Sequence, residues 1–250
     1  MTEERITSRK NATLQQVKKL LSSRKAREEA GLFVADGTKL LQEAVRFWPD
    51  LETVVLSDGV EAEVPPHVRV IRVPGDVMES ISPMSTPQGA VFVCRLPQKA
   101  AFTPKAPLLL LDGIQDPGNL GTILRTADAM NVPVALLEGC ADPYSHKVVR
   151  ASMGAVFRTG VVQTTWDEAK KTLSDAGIPV AVTALSPRAK DIRQADVRSM
   201  AVVIGSEGQG VRKEVMAGAD AELIIPMQAH CESLNAGVAA AIVAWEMQQL

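Results

Sequence analysis

Apolar residues recur along this chain with two periods, and their alternation lays out the fold. Between residues 11 and 29, Leu14, Val17, Leu20 and Leu21 fall at helical spacing, interrupted at the Ser22-Ser23 pair. Short apolar runs predict strands at 32–35, 53–56, 68–73 and 89–94, with helices at 38–47 and 77–81. Together these make a small α/β unit of about ninety residues, an ordinary domain size. The run 97–107, PQKAAFTPKAP, has three prolines and no period, which predicts a stiff, extended linker. Beyond it, Leu108, Leu109, Leu110 and Leu111 read as a strand buried on both faces, as in a parallel sheet. Further strands are expected at 134–137, 157–162, 180–183, 201–204 and 221–225. Helices are expected after residue 119 and at 145–153, 166–176, 211–216 and 235–248. Strands alternating with helices predict a parallel sheet covered on both faces. The expected division is a first domain at 1–96, a linker at 97–107 and a second domain at 108–250.

The loops of the second domain carry the candidate chemistry. After the four leucines come Asp112-Gly113 and Asp116-Pro117-Gly118-Asn119, a cluster of turn formers. A helix follows, with Asn119 placed to cap it and Leu120, Ile123, Leu124 and Ala127 as its apolar stripe. The stretches 112–121, 205–210 and 226–235 each follow an apolar strand. They should therefore meet at the carboxyl end of one sheet, where open α/β sheets gather ligands. The glycine-rich turn at 205–210, GSEGQG, allows two readings: amides cradling an anion, or a loop around an adenosine-like ligand. It lacks the spacing of a dinucleotide fingerprint and the lysine-hydroxyl pair of a P-loop, which speaks against a nicotinamide enzyme and an NTPase. The last helix is apolar or small all round from Ala236 to Ala244. It must be buried on more than one side, against the sheet and against a second copy of the chain, so a homodimer is expected.

Charge and cysteine usage narrow the class. The formal net charge is −2, yet between residues 1 and 47 Lys and Arg outnumber Asp and Glu by four. Lys18, Lys19, Arg24, Lys25 and Arg27 lie on the polar side of the first helical stretch. That side is either a solvated helix face or a phosphate-binding one. Cys94, Cys140 and Cys231 are far apart, without CxxC or zinc spacing to His67, His146 or His230. They read as reduced thiols, and no metal is expected. With a charged N-terminus and no long apolar span, a soluble, cytoplasmic protein with no membrane partner is expected.

Four segments then carry a resemblance: DGIQDPGNLGTILRTADA (112–129), KVVRASMGAVFR (147–158), VVIGSEGQGVRKEV (202–215) and IPMQAHCESLNAGVAAAI (225–242). Long, ungapped and in order, they closely resemble the SpoU/TrmH family of RNA ribose 2′-O-methyltransferases in the SPOUT superfamily. The N-terminal ITSRKNATLQQVKKLLSSRKAREEAGLFVADG resembles the small RNA-binding domain, related to a ribosomal protein, that precedes many such enzymes. The resemblance implies an α/β fold: a SPOUT-type parallel sheet with a C-terminal trefoil knot, preceded by a small α/β RNA-binding domain resembling a ribosomal protein. It implies S-adenosylmethionine as cofactor, held by Gly205, Glu207, Gly208, Ile225, Met227 and Leu234. It also implies a catalytic set of Asn119, Arg125, Glu207, Ser233 and Asn235, and an RNA partner, rRNA before tRNA. Arg9, Lys18, Arg24, Lys25, Arg27 and Arg150 are the expected RNA contacts. Arg150 and Ser152, in the RASMGA segment, either touch RNA or a partner subunit or hold the fold.

The family's usual proposal makes the arginine the base that takes the ribose proton. A guanidinium keeps its proton throughout the working pH range of proteins. A charged Arg125 gripping a phosphate and steadying the developing alkoxide is the better-founded role. Asn119 doubles as a helix cap, Glu207 as a turn acceptor, and Ser233 and Asn235 as caps of the last helix. The chain departs from the family where Ala229 replaces a common glycine, followed by His230 and Cys231, which read as loop filling. It departs again where VADG (34–37) replaces the usual glutamate-glycine pair. Two other classes remain: a non-catalytic RNA-binding or ribosome-assembly protein on this fold, and a base methyltransferase, which would need a carboxylate-like base near the methyl.

Overall fold

A computed structural model of the chain describes residues 4–228, 230, 231 and 233–248. It divides into two compact units, Met1–Gln98 with Tyr144–Arg158, and Lys99–Pro143 with Thr159–Leu250.

The first unit contains β1 (Glu4–Arg5), α1 (Ala12–Ser22), α2 (Arg24–Ala30), β2 (Leu32–Asp36), α3 (Thr38–Phe47), β3 (Leu51–Ser57), β4 (Arg69–Val73), α4 (Gly75–Ile81) and β5 (Ala90–Arg95). Its sheet has the order β1-β4-β3-β5-β2, with β1, β4 and β3 parallel and β5 antiparallel to both of its neighbours. Leu14, Val17 and Leu20 of α1 enter a core with Val34, Ile71, Met78 and Val91. The Ser22-Ser23 break marks two helices. Ser23 is extended, ends α1, and accepts a hydrogen bond from the Ala26 amide to start α2. Its change of backbone direction resets the helical phase, so residues after it no longer continue the polar side of α1.

The second unit begins with β6 (Leu108–Asp112), α5 (Pro117–Ala129) and β7 (Val134–Leu136). The chain then gives α6 (His146–Ala151) and α7 (Val156–Thr159). It returns with β8 (Val162–Gln163), α8 (Trp166–Asp175), β9 (Val180–Thr183), β10 (Lys190–Asp191), β11 (Ala201–Gly205), α9 (Lys213–Ala217), β12 (Ala221–Ile224) and α10 (Ala236–Met247). Among the described residues the sheet has seven strands in the order β10-β12-β9-β11-β6-β7-β8, every pairing parallel. Leu109, Leu110 and Leu111 are fully buried on the interior strand β6, as a strand covered on both faces requires.

Three local expectations are corrected. Residues 157–162 are not one strand: Val156–Thr159 is helical, and only Val162–Gln163 pairs with β7. The reason is aromatic packing within the first unit. Phe157 lies 5.8 Å from Trp48 and 6.3 Å from Phe33 and Phe92, ring centre to ring centre, while Tyr144 lies 5.1 Å from Phe33. Nor does Asn119 cap α5. Pro117 occupies the first turn, so the cap falls to Asp116, whose carboxylate accepts from the Asn119 amide at 2.7 Å. The expected helix at 211–216 also starts later, at Lys213.

The apolar last helix packs on α5 and β11. Ala236, Ala240, Val243, Ala244 and Met247 are buried, whereas Val238 and Trp245 on its other side stay exposed, Trp245 by 61%.

Candidate functional site

Because β9, β11, β6 and β12 run parallel and lie side by side, their carboxyl ends share one edge. The loops leaving β9, β11 and β12 enclose a cleft of 390 Å³, lined by residues 183–185, 204–211, 223–225, 227, 233 and 234, with Ala236 and Ala239 of α10 as part of its wall. Gly205, Glu207, Gly208, Ile225, Met227 and Leu234, the six residues expected around a cofactor, all line it, as does Ser233. Thr183, Ala184 and Leu185 form a further wall that the sequence reading missed. The Thr183 hydroxyl donates to the Val203 carbonyl at 3.1 Å and ties this wall to β11.

The glycine-rich turn is a closed hairpin. Ser206 and Gly210 exchange both backbone hydrogen bonds, at 3.1 and 2.9 Å. Gly205 stands where the hairpin closes on itself: a Cβ there would lie 2.2 Å from both the Gly210 carbonyl carbon and the Val211 nitrogen. Only glycine fits this approach of backbone to backbone.

A polar chain leaves the cleft from Glu207. The Asn119 side-chain NH2 donates to the Glu207 carboxylate, and the Asn235 NH2 donates to the Asn119 oxygen at 3.0 Å. Asn235 also caps α10, its oxygen accepting from the amides of Gly237 and Val238. Both ends of the Asn119 amide are thus engaged, which fixes its orientation. Asn119 and Asn235 border a second, apolar groove of 420 Å³ with Val238, Ala241, Ile242 and Trp245. Arg125, two turns further along α5, is exposed, and among the described residues no hydrogen bond or ion pair is recorded for it. The structure therefore joins Asn119, Glu207 and Asn235, with Ser233 in the neighbouring wall, and leaves Arg125 outside that network.

Behind the hairpin lies a charged anchor. Asp112, at the end of β6, has no exposed side-chain surface. It accepts from the Arg212 amide at 2.8 Å and from Arg212 Nε at 2.6 Å. The guanidinium continues to Glu138 at 2.8 Å and Glu214 at 3.1 Å. Partial burial works against the charge on Arg212, but its bonds to Glu138 and Asp112 outweigh that and hold it more firmly protonated than usual. Burial would raise the Glu138 carboxyl, yet backbone amides and Arg212 together hold it below its ordinary value. Asp112 is the buried half of this pair and Arg212 the partly exposed one, so removing the arginine leaves a buried carboxylate uncompensated.

The expected RNA contacts are distributed unevenly in the first unit. Arg9, Arg24 and Lys25 are exposed, in surface ion pairs with Asp76, Glu28 and Glu29, whereas Lys18 is partly buried. Arg150 is exposed, with its guanidinium against the Met84 sulfur. Arg27 is different: it is 6% exposed and donates to the Leu20 carbonyl at 2.6 Å, because the phase reset at Ser23 turns it inward. It belongs to the helix junction rather than to a basic face. Ser152 is fully buried and donates to the Val149 carbonyl, a fold-holding position. Ala229 lies outside the described residues, while His230 and Cys231 are exposed. Among the described residues no group of three or more His, Cys, Asp or Glu could hold a metal ion, and no helix is long and apolar enough to cross a membrane.

Comparison with known proteins decides the family. Residues 106–245 match the SpoU rRNA Methylase family, and residues 11–91 match the MRM3-like substrate binding domain. The chain belongs to the SpoU rRNA methylase family. It is 31% identical over 250 residues to the 23S rRNA (guanosine(2553)-2'-O)-methyltransferase RlmP of Bacillus subtilis, covering 98% of this chain and 99% of that protein. An AdoMet-bound rRNA methyltransferase from Sinorhizobium meliloti superposes with a TM-score of 0.86 at 27% identity, covering 98% and 97% of the two chains. The SpoU methyltransferase AviRb from Streptomyces viridochromogenes, in complex with AdoMet, superposes with a TM-score of 0.85 at 25% identity, covering 95% and 97%.

The cleft fits S-adenosylmethionine, the cofactor of this family. Its volume lies within the range of about 300–1,000 Å³ usual for small-molecule sites. Leu185, Ile225, Met227 and Leu234 supply aliphatic walls suited to a purine, and the hairpin presents backbone groups at Gly205 and Gly208, with no side chain in the way.

Proposed function

We propose that this protein methylates a ribose 2′-oxygen of ribosomal RNA, using S-adenosylmethionine, as a homodimer in the cytoplasm. The observation that carries this reading is the hydrogen-bonded chain Asn235–Asn119–Glu207, rooted in the wall of a nucleoside-sized cleft. Family membership and the full-length likeness to an rRNA ribose methyltransferase support it. A knotted arrangement of the C-terminal strands, as in SPOUT proteins, is part of the proposal.

When bound, S-adenosylmethionine supplies a methyl group already activated by its sulfonium. The protein then has mainly to position the ribose and stabilise charge. Glu207 holds the Asn119 amide, and Asn235 holds it from the other side, so that the entrance of α5 keeps one geometry. Arg125, exposed and without a recorded partner among the described residues, is available for the RNA. It remains charged, grips a phosphate beside the target and steadies the alkoxide as the hydroxyl gives up its proton to solvent water. Ser233, in the cleft wall, borders the same space. Lys18, Arg9, Arg24, Lys25 and Arg150 dock the RNA backbone, whose affinity is carried by phosphate contacts. Arg27 takes no part in that docking. The exposed side of α10, with Val238 and Trp245, is the surface that a second copy covers.

The test uses tritiated S-adenosylmethionine with rRNA and tRNA from cells lacking the gene. Wild-type protein labels rRNA. Arg125→Ala loses about 10²–10³ in rate, the scale of removing one charge-stabilising donor, while keeping its cofactor affinity nearly intact. Label in tRNA alone would move the substrate to tRNA, and wild-type turnover by Arg125→Ala would remove that arginine from the mechanism.

A further inference from the structure

We infer that Arg212, clamped between Asp112 and Glu138, is a positioning residue that holds the 205–210 hairpin in its cofactor-binding shape. The inference rests on the functional reading above and deepens it. Strand β11 enters the hairpin beside β6, with Gly205 in register with Asp112. Four residues after the Ser206–Gly210 bridge begins, the chain passes back through Gly210 and buried Val211 to Arg212, which bonds to that same Asp112 through both its backbone amide and Nε. One buried carboxylate therefore fixes the exit of the loop directly beside its entrance. The other side of the guanidinium reaches Glu138, which also accepts from the Trp166 amide at the start of α8 at 3.2 Å. The hairpin is thus tied to β6 and α8, neither of which supplies a wall of the cleft. Those ties act on two things together: the backbone that lines the cleft at Gly205 and Gly208, and the place from which Glu207 reaches Asn119.

Arg212 itself does not line the cleft, so its effect passes through the loop. A lysine could keep one ion pair but not the fork that serves Asp112 and Glu138 together. A merely structural arginine would lower the melting temperature and leave the kinetic constants of the folded fraction unchanged. A positioning one raises Kd and KM for S-adenosylmethionine while KM for RNA stays put.

The experiment titrates S-adenosylmethionine into wild-type, Arg212→Gln, Arg212→Lys and Glu138→Gln proteins by calorimetry. Both KM values, kcat and the melting temperature are recorded for each. For Arg212→Gln the expected rise in cofactor Kd is about tenfold, equivalent to about 1.4 kcal/mol. Arg212→Lys should recover part of it. Glu138→Gln leaves the pair with Asp112 in place, and it should raise Kd about threefold, equivalent to about 0.7 kcal/mol, with only a small fall in melting temperature. This second variant decides the matter if Arg212→Gln folds poorly. Wild-type Kd in Glu138→Gln and in the folded Arg212 variants overturns the inference alone. Absence of cofactor binding by the wild-type protein overturns the functional reading, and the inference with it.

Discussion

Single side chains decide whether the cleft can form at all, and Gly205 is the clearest of them. No rotamer or small shift removes a contact of 2.2 Å with two main-chain atoms, so Gly205→Ala must displace the hairpin. Cofactor affinity measured by calorimetry should fall by roughly a hundredfold, the scale for a misplacement near 1 Å; a Kd within a few-fold of wild type would refute the close-approach argument. The importance of Gly205 was visible in the sequence as part of GSEGQG, but its reason was not. The glycine answers to its own loop five residues on. Asn119 was legible as a residue of special role and misread as a cap, although Pro117 already pointed to Asp116. Arg27 was misread because a helical wheel drawn through Ser23 keeps a phase that the backbone abandons there. Asp112 and Arg212 went unnoticed as a pair: they are a hundred residues apart, and only the adjacency of β6 and β11 brings them together.

Among the elements, those with strong internal patterning matched their sequence most closely. Thr38–Phe47 and Val180–Thr183 have the limits that periodicity alone predicts. The segment 144–158 did not follow its sequence neighbours, because its aromatic partners Phe33, Trp48 and Phe92 lie far back in the chain. It also contains a titratable weak point. His146, the first residue of α6, is half-buried, and that burial pushes its pKa below the ordinary histidine value. Lys147 and Arg27 push the same way, while the Leu21 carbonyl and Asp36 pull against them. The folded value lies below the unfolded one, so as pH falls the unfolded state takes up the proton first. The stability held above the unfolded value of 6.5 is then lost as pH drops through it towards the folded value. Urea midpoints at pH 7.5 and 5.5 should therefore differ more for wild type than for His146→Gln; an equal difference would show that His146 is not responsible. Asp36 is shifted upward by burial and titrates in the opposite sense, which is why the comparison is made against the histidine variant.

For the molecule as a whole, the sequence made the parallel sheet of the second unit and its loop-bearing edge legible, because buried strands read as unbroken apolar runs. It left the third wall of the cleft unread, since the loop after β9 carries no motif and its place depends on strand order. What the assembled site does to RNA is settled by the chemistry of the product. A methyl on a ribose 2′-oxygen removes the nucleophile that alkali needs to cleave the next phosphodiester bond. Ribosomal RNA labelled by the wild-type protein from tritiated S-adenosylmethionine should be hydrolysed in alkali and its fragments separated by size and charge. Ribose methylation makes the tritium run with alkali-resistant dinucleotides. Tritium confined to mononucleotides would mean that the methyl sits on a base, and would contradict it.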